Sequence, residues 1–176
     1  MGDLNVFVPE ERAFLCGIFY KIGIWISHID DDGDCEADSQ EERMLMSVLE
    51  KLSQKHAKNT PLISQMTEEA ARQTSNHEHW ALNASDTAVK DAVKGGHMIK
   101  AQMSHDDLRA YKDALGEVAR EVAIAFREGE EAEPQGMDKL KGFVQKFTNK
   151  SLHEEKNISP REDSALTELY GALQEI

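Results

Sequence analysis

Cysteine is scarce in this sequence, and so is positive charge. The two cysteines, Cys16 and Cys35, are too few for a cysteine-only zinc site. Cys16 falls in an apolar run and reads as core. Cys35 falls among carboxylates, which disfavour the thiolate, so it is expected to be unreactive. Lys and Arg total 20 against 33 Asp and Glu, a formal net charge of −13. That excess repels phosphate backbones and anionic lipid surfaces, and no basic patch offsets it, so no nucleic-acid binding is expected. The most apolar run is about 16 residues long and interrupted by Lys21, short of the ~20 a membrane span needs. No direct membrane insertion is therefore expected. Met1-Gly-Asp-Leu-Asn lacks the basic-then-apolar order of a signal peptide, and Val6 stands where a myristoylation signal wants Ser or Thr. A cytoplasmic location follows as an expectation.

Catalytic signatures are also missing. There is no His-Glu-x-x-His, and Glu never stands three residues before a histidine, which removes the zinc-protease pattern and the usual carboxylate di-iron bundle. Neither Gly-x-Ser-x-Gly nor a glycine loop followed by Lys-Ser or Lys-Thr occurs. No residue qualifies as a nucleophile, and His77-x-His79 point to different faces of a helix. Surface positions are expected for the histidines, with His28 the exception because it lies four residues before Asp32.

No run alternates as a half-buried strand would, whereas helical spacing is abundant. Phe14, Ile18, Ile22, Trp25 and Ile29 recur at steps of three or four, and Leu15, Phe19 and Ile26 widen the stripe until little polar surface is left. A helix apolar nearly all round belongs at the centre of a helical core. Pro9 followed by Glu10 and Glu11 starts it. Asp38 or Ser39 caps a second helix carrying Met44, Leu45, Val48, Leu49 and Leu52, which fades near Asn59. Thr60-Pro61 opens a third, Ser75-Asn76 breaks the pattern, and His77 begins a fourth. Ser85-Asp86 caps a fifth, which Gly95-Gly96 weakens or divides. Ser104-His-Asp-Asp107 has the form of a capping box and starts a long helix to about Arg127. Met137 to Phe147 marks a short helix, and Ser159-Pro-Arg-Glu162 starts the last one. The expectation is an all-α fold, a single compact bundle of about seven helices spanning residues 1–176.

Between the first two helices lies Asp30-Asp-Asp-Gly-Asp-Cys-Glu-Ala-Asp38, followed by Glu41 and Glu42. Hard cations want several carboxylate oxygens converging from a turn, and this composition supplies them. It is not an EF-hand: with Gly33 at the sixth position, His28 falls first and Ser39 twelfth. Asp30, Asp32, Asp34 and Glu41 are the nominated ligands, for Ca²⁺ or Mg²⁺. The alternative is a solvated loop whose charges cap the second helix. A fainter second unit runs from Val118 to Ala125, through Glu128-Gly129, to Ile158-Ser-Pro-Arg-Glu-Asp163.

An apolar helix, Ser27-His-Ile-Asp-Asp-Asp32-Gly33, then a helix with early Glu41 and Glu42, resembles the TerB-like family. That family is named for tellurite-resistance protein B, and the module also occurs in some DnaJ-like co-chaperones. Asp30 and Asp31 stand where the family has small residues, and Glu128 stands where its second turn has Asp. The resemblance implies a compact helical bundle, a divalent-metal site at the acidic turns, and a role in bacterial tellurite or stress resistance or in protein assembly, with no known catalytic reaction. The expected function is a non-enzymatic helical module that binds a partner protein and, at the acidic turn, a divalent cation. Two alternatives stand beside it. One is a metal-dependent enzyme using the acidic turn plus histidines. The other is a plain structural or homo-oligomerisation domain.

Overall fold

The computed structural model describes residues 2–29, 39–130 and 158–176. Among them are seven α-helices: α1 (Pro9–Ser27), α2 (Ser39–His56), α3 (Pro61–Arg72), α4 (Thr74–Ala81), α5 (Ala84–Gln102), α6 (His105–Glu130) and α7 (Pro160–Gln174), after a 3₁₀ turn at Leu4–Val6. No strand occurs among the described residues, so the all-α expectation holds.

Helix α1 is the axle of the bundle. Leu15 through Tyr20 and Ile22 through Ile26 are buried, and α1 packs against α2, α3, α4, α5 and α6. A helix with neighbours on every side has no polar face to spare, which is why its apolar residues circle it. Helix α7 lies on the far side of α5 and α6. The ring of Phe19 meets Tyr111 of α6 edge-on at 5.9 Å. Phe7, 2% exposed, joins the core as its sequence position suggested. The lead-in is held from two directions: Leu4 N–H donates to Gln65 Oε1 (2.8 Å) and Gly2 N–H to Asp107 Oδ1 (3.1 Å).

The helix starts read at Ser104 and Ser159 both form, each as a capping box. Ser104 Oγ accepts from Asp107 N–H at 3.1 Å. Ser159 Oγ accepts from Glu162 N–H at 3.1 Å, while Ser159 N–H donates to Glu162 Oε2 at 2.7 Å.

Other boundaries differ. Helix α4 starts at Thr74, so Ser75 and Asn76 lie inside it and only Gln73 separates α3 from α4. Helix α5 starts at Ala84, behind Asn83 in the left-handed region (φ 61°), which places Ser85 and Asp86 in its first turn. Gly95-Gly96 does not divide α5. Both glycines are buried, and their missing side chains leave room for Ile18, Tyr111 and Ile176. The turn expected at Glu128-Gly129 is helical, since α6 continues through it to Glu130. The expected helix at 137–147 lies outside the described residues. Among those described, no helix is long and apolar enough to cross a membrane.

Candidate functional site

The end of α1 and the head of α2 bracket the acid-rich stretch. Helix α1 stops as His28 N–H donates to Ile24 O (3.2 Å) and Ser27 Oγ donates to the same carbonyl (3.0 Å). His28 then turns its ring inward, leaving its side chain 9% exposed, with Nε2 3.3 Å from Glu41 Oε2 in the first turn of α2. Of the four nominated ligands, Glu41 is thereby placed against His28. Asp30, Asp32 and Asp34 lie outside the described residues, as does Cys35. Among the described residues, no three His, Cys, Asp or Glu side chains converge as metal ligands.

The next carboxylate, Glu42, meets a second histidine. His77 of α4 is 2% exposed, contrary to the surface position expected from its sequence. Its Nδ1 lies 2.9 Å from Glu42 Oε1 and its Nε2 2.8 Å from Ala70 O. A carbonyl can only accept, so Nε2 carries a proton. The contact at Nδ1 then needs another, held either by the imidazole facing a carboxylate or by Glu42 itself. The ring stacks on Tyr20 of α1 at 4.1 Å and 15°, with Trp80 alongside. Burial and the Glu42 charge push the Tyr20 phenol up, which keeps it a neutral donor to Glu42. Glu41 and Glu42 are thus adjacent carboxylates tied to histidines of two different helices. Together they set the register of α2 against α1 and α4.

His77 also serves α3. Ala70 O belongs to the last turn of that helix, whose carbonyls have no intrahelical partner. His77→Phe should keep the stack on Tyr20 but leave Ala70 O without its side-chain donor and Glu42 with Tyr20 as its remaining partner across this contact. A loss of about 2 kcal/mol is expected, from the cost of a buried acceptor left unmade. Urea unfolding of the variant against the parent measures it, and an unchanged midpoint would reduce the histidine to a space-filling ring.

A third histidine is partly buried. His56, with its side chain 16% exposed, joins the end of α2 to α6. Its Nδ1 lies 2.6 Å from Thr60 Oγ1 and its Nε2 3.2 Å from Glu117 Oε2, and Lys55 pairs with the same carboxylate. The tautomer with its proton on Nε2 satisfies both contacts. The constellation ties the α2–α3 turn to α6.

Cys16 behaves as core. It walls a cavity of about 500 Å³ that Arg12, Gln65 and Glu69 also line. Burial, reinforced by the Glu69 charge, pushes its thiol up to about 12, so it stays protonated and unreactive near neutral pH. A groove of about 490 Å³ runs along the head of α2, between Glu42, Arg43, Met46, Ser47, Glu50 and Thr74. Comparisons with protein-family models, with curated proteins and with solved structures gave no match.

Proposed function

We propose that this chain is a non-enzymatic, TerB-like helical module that engages a protein partner from its acidic face and holds a divalent cation at residues 30–41. The observation that carries this reading is the double anchoring of the α2 head. Glu41 rests on His28 and Glu42 on His77, so both ends of the acid-rich stretch are fixed to the core. Asp30, Asp32, Asp34 and Glu41 are the proposed ligands, and carboxylate oxygens alone would take Ca²⁺ or Mg²⁺. The adjoining groove, with the Met46 side chain between charged residues, offers the partner a contact surface beside the cation. Tellurite or stress resistance, or protein assembly in the cytoplasm, is the setting that the TerB resemblance supports.

The test is thermal melting in millimolar Ca²⁺ or Mg²⁺ against chelator, in the parent and in an Asp32→Asn/Glu41→Gln pair. A cation at 100 times its Kd adds about 2.7 kcal/mol by mass action, or roughly 5–10 °C for a domain of this size. The parent should gain that shift and the pair should lose it. A melting temperature indifferent to cation would leave the stretch as a solvated cap.

A further inference from the structure

A cleft of about 360 Å³ opens between α1, α4 and α5, at the lower end of the size range of small-molecule sites. Trp80 of α4 forms part of its wall. The residue is 7% exposed, yet its indole Nε1 makes no hydrogen bond. That nitrogen keeps some solvent contact, unlike the fully enclosed Nε2 of His28. The nitrogen edge of the indole lies against Gly17 of α1, where a Cβ would stand 2.5 Å from Nε1, and Gly17 lines the same cleft. Donors on residues this buried are normally satisfied, so this one calls for an acceptor within the cleft.

An acceptor without a partner stands beside it. Asn76 also lines the cleft, and its Nδ2 donates to Gln73 Oε1 at 2.8 Å, which leaves Oδ1 with no hydrogen bond. Asn76 and Trp80 are four residues apart on α4, so they share a face, with Cβ atoms about 5–6 Å apart. Phe14 and Ile18 supply an apolar wall. The nearby charges cancel. Lys21 Nζ is 2.6 Å from Asp91 Oδ2, while Glu10 and Lys94, the latter with Nζ 4.6 Å from the Phe14 ring centroid, add one charge of each sign.

We infer that this cleft binds a small, flat, uncharged ligand whose edge carries an acceptor next to an N–H donor, as an aromatic carboxamide does. The carbonyl accepts from Trp80 Nε1–H, the amide donates to Asn76 Oδ1, and the ring packs on Phe14 and Ile18. A carboxylate in its place would bring no donor for Asn76 and would meet Glu10 and Asp91. A cation carrying donors alone would leave Trp80 unanswered. The site shares no residue with the cation reading above and stands without it.

The experiment titrates the full chain with benzamide, benzoate and benzamidine, which share one shape and differ in charge, donors and acceptors. Nitrogen NMR follows the indole signals of the two tryptophans, with Trp25, outside the cleft, as internal control. Benzamide should move the Trp80 signal saturably, leave Trp25 in place, and bind about threefold or more tightly than either analogue. Trp80→Phe, which keeps a ring without the donor, and Asn76→Ala should each weaken benzamide by about threefold or more. An unmoved Trp80 signal in the parent would overturn the site, however the variants fold. Benzoate or benzamidine binding as tightly as benzamide would overturn the paired donor and acceptor, as would parental affinity in Asn76→Ala.

Discussion

Ile22→Asp is expected to abolish the cooperative unfolding transition. Ile22 has no exposed surface, and it sits midway along a helix that touches five others. A carboxylate there would have to be buried without a partner, stay protonated, or push the helix outward, each at a cost of several kcal/mol. Whole domains are stable by only about 5–15 kcal/mol, so one such residue consumes most of the margin. Ile22→Val is the control. It removes one methylene, should cost about 1 kcal/mol, and should melt as a single transition slightly below the parent. Circular dichroism against temperature measures both. An aspartate variant with parental helicity and melting temperature would show that α1 is not the core helix.

The second large effect is expected at Gly95. A Cβ built there would lie 2.5 Å from Ile18 Cδ1 and 2.5 Å from the Tyr111 hydroxyl. Tyr111 is fully buried, and its hydroxyl donates to Ala92 O at 3.0 Å, so neither neighbour can yield without breaking packing or a hydrogen bond. Gly95→Val should cost on the order of 3 kcal/mol through overpacking, which for a domain of this size is roughly 6–12 °C of melting temperature. Gly95→Ala has two opposing effects: about 1 kcal/mol gained in helix propensity against 1–3 lost to crowding, leaving a smaller net loss. Gly96→Ala should be milder, because the nearest atoms to its Cβ all belong to the Ile176 side chain. If the valine variant melted with the parent, α5 and α1 would not approach as closely as they do here.

The glycine pair also shows where sequence reasoning stops. Helix propensity treats Gly95 and Gly96 as interruptions, and on an isolated helix that would be sound. In the bundle their missing side chains are the contact, and tertiary packing outweighs the local penalty. Features that depend on neighbouring residues were legible: the all-round apolar pattern of α1, Pro9 at its start, and the boxes at Ser104 and Ser159. Those signals act within one or two turns. The site was less legible for the same reason. Glu41 and His28 could be singled out because they flank the acids in the chain. The partners of His77, Glu42 and Ala70, come from other helices, and nothing local marks the residue as buried. One local sign was present, since Trp80 lies three residues after His77 and shares its helix face. The break assigned at Ser75-Asn76 concealed it.

The central position of α1 has a consequence for the order in which the protein is made. This helix leaves the ribosome before the helices that cover it, and α5 and the α6 residues that bury it, out to Ala123, come many residues later. At about 5–20 residues per second, that is an interval of roughly 5–20 s in which the most apolar segment of the chain lacks the α5 and α6 part of its native cover. A nascent chain stalled between α4 and α5 would display Ile18, Ile22 and Ile26 with nothing from the second half of the bundle to bury them. Yield in the cell should therefore respond to holdase chaperones and to translation speed more strongly than the stability of the finished protein suggests.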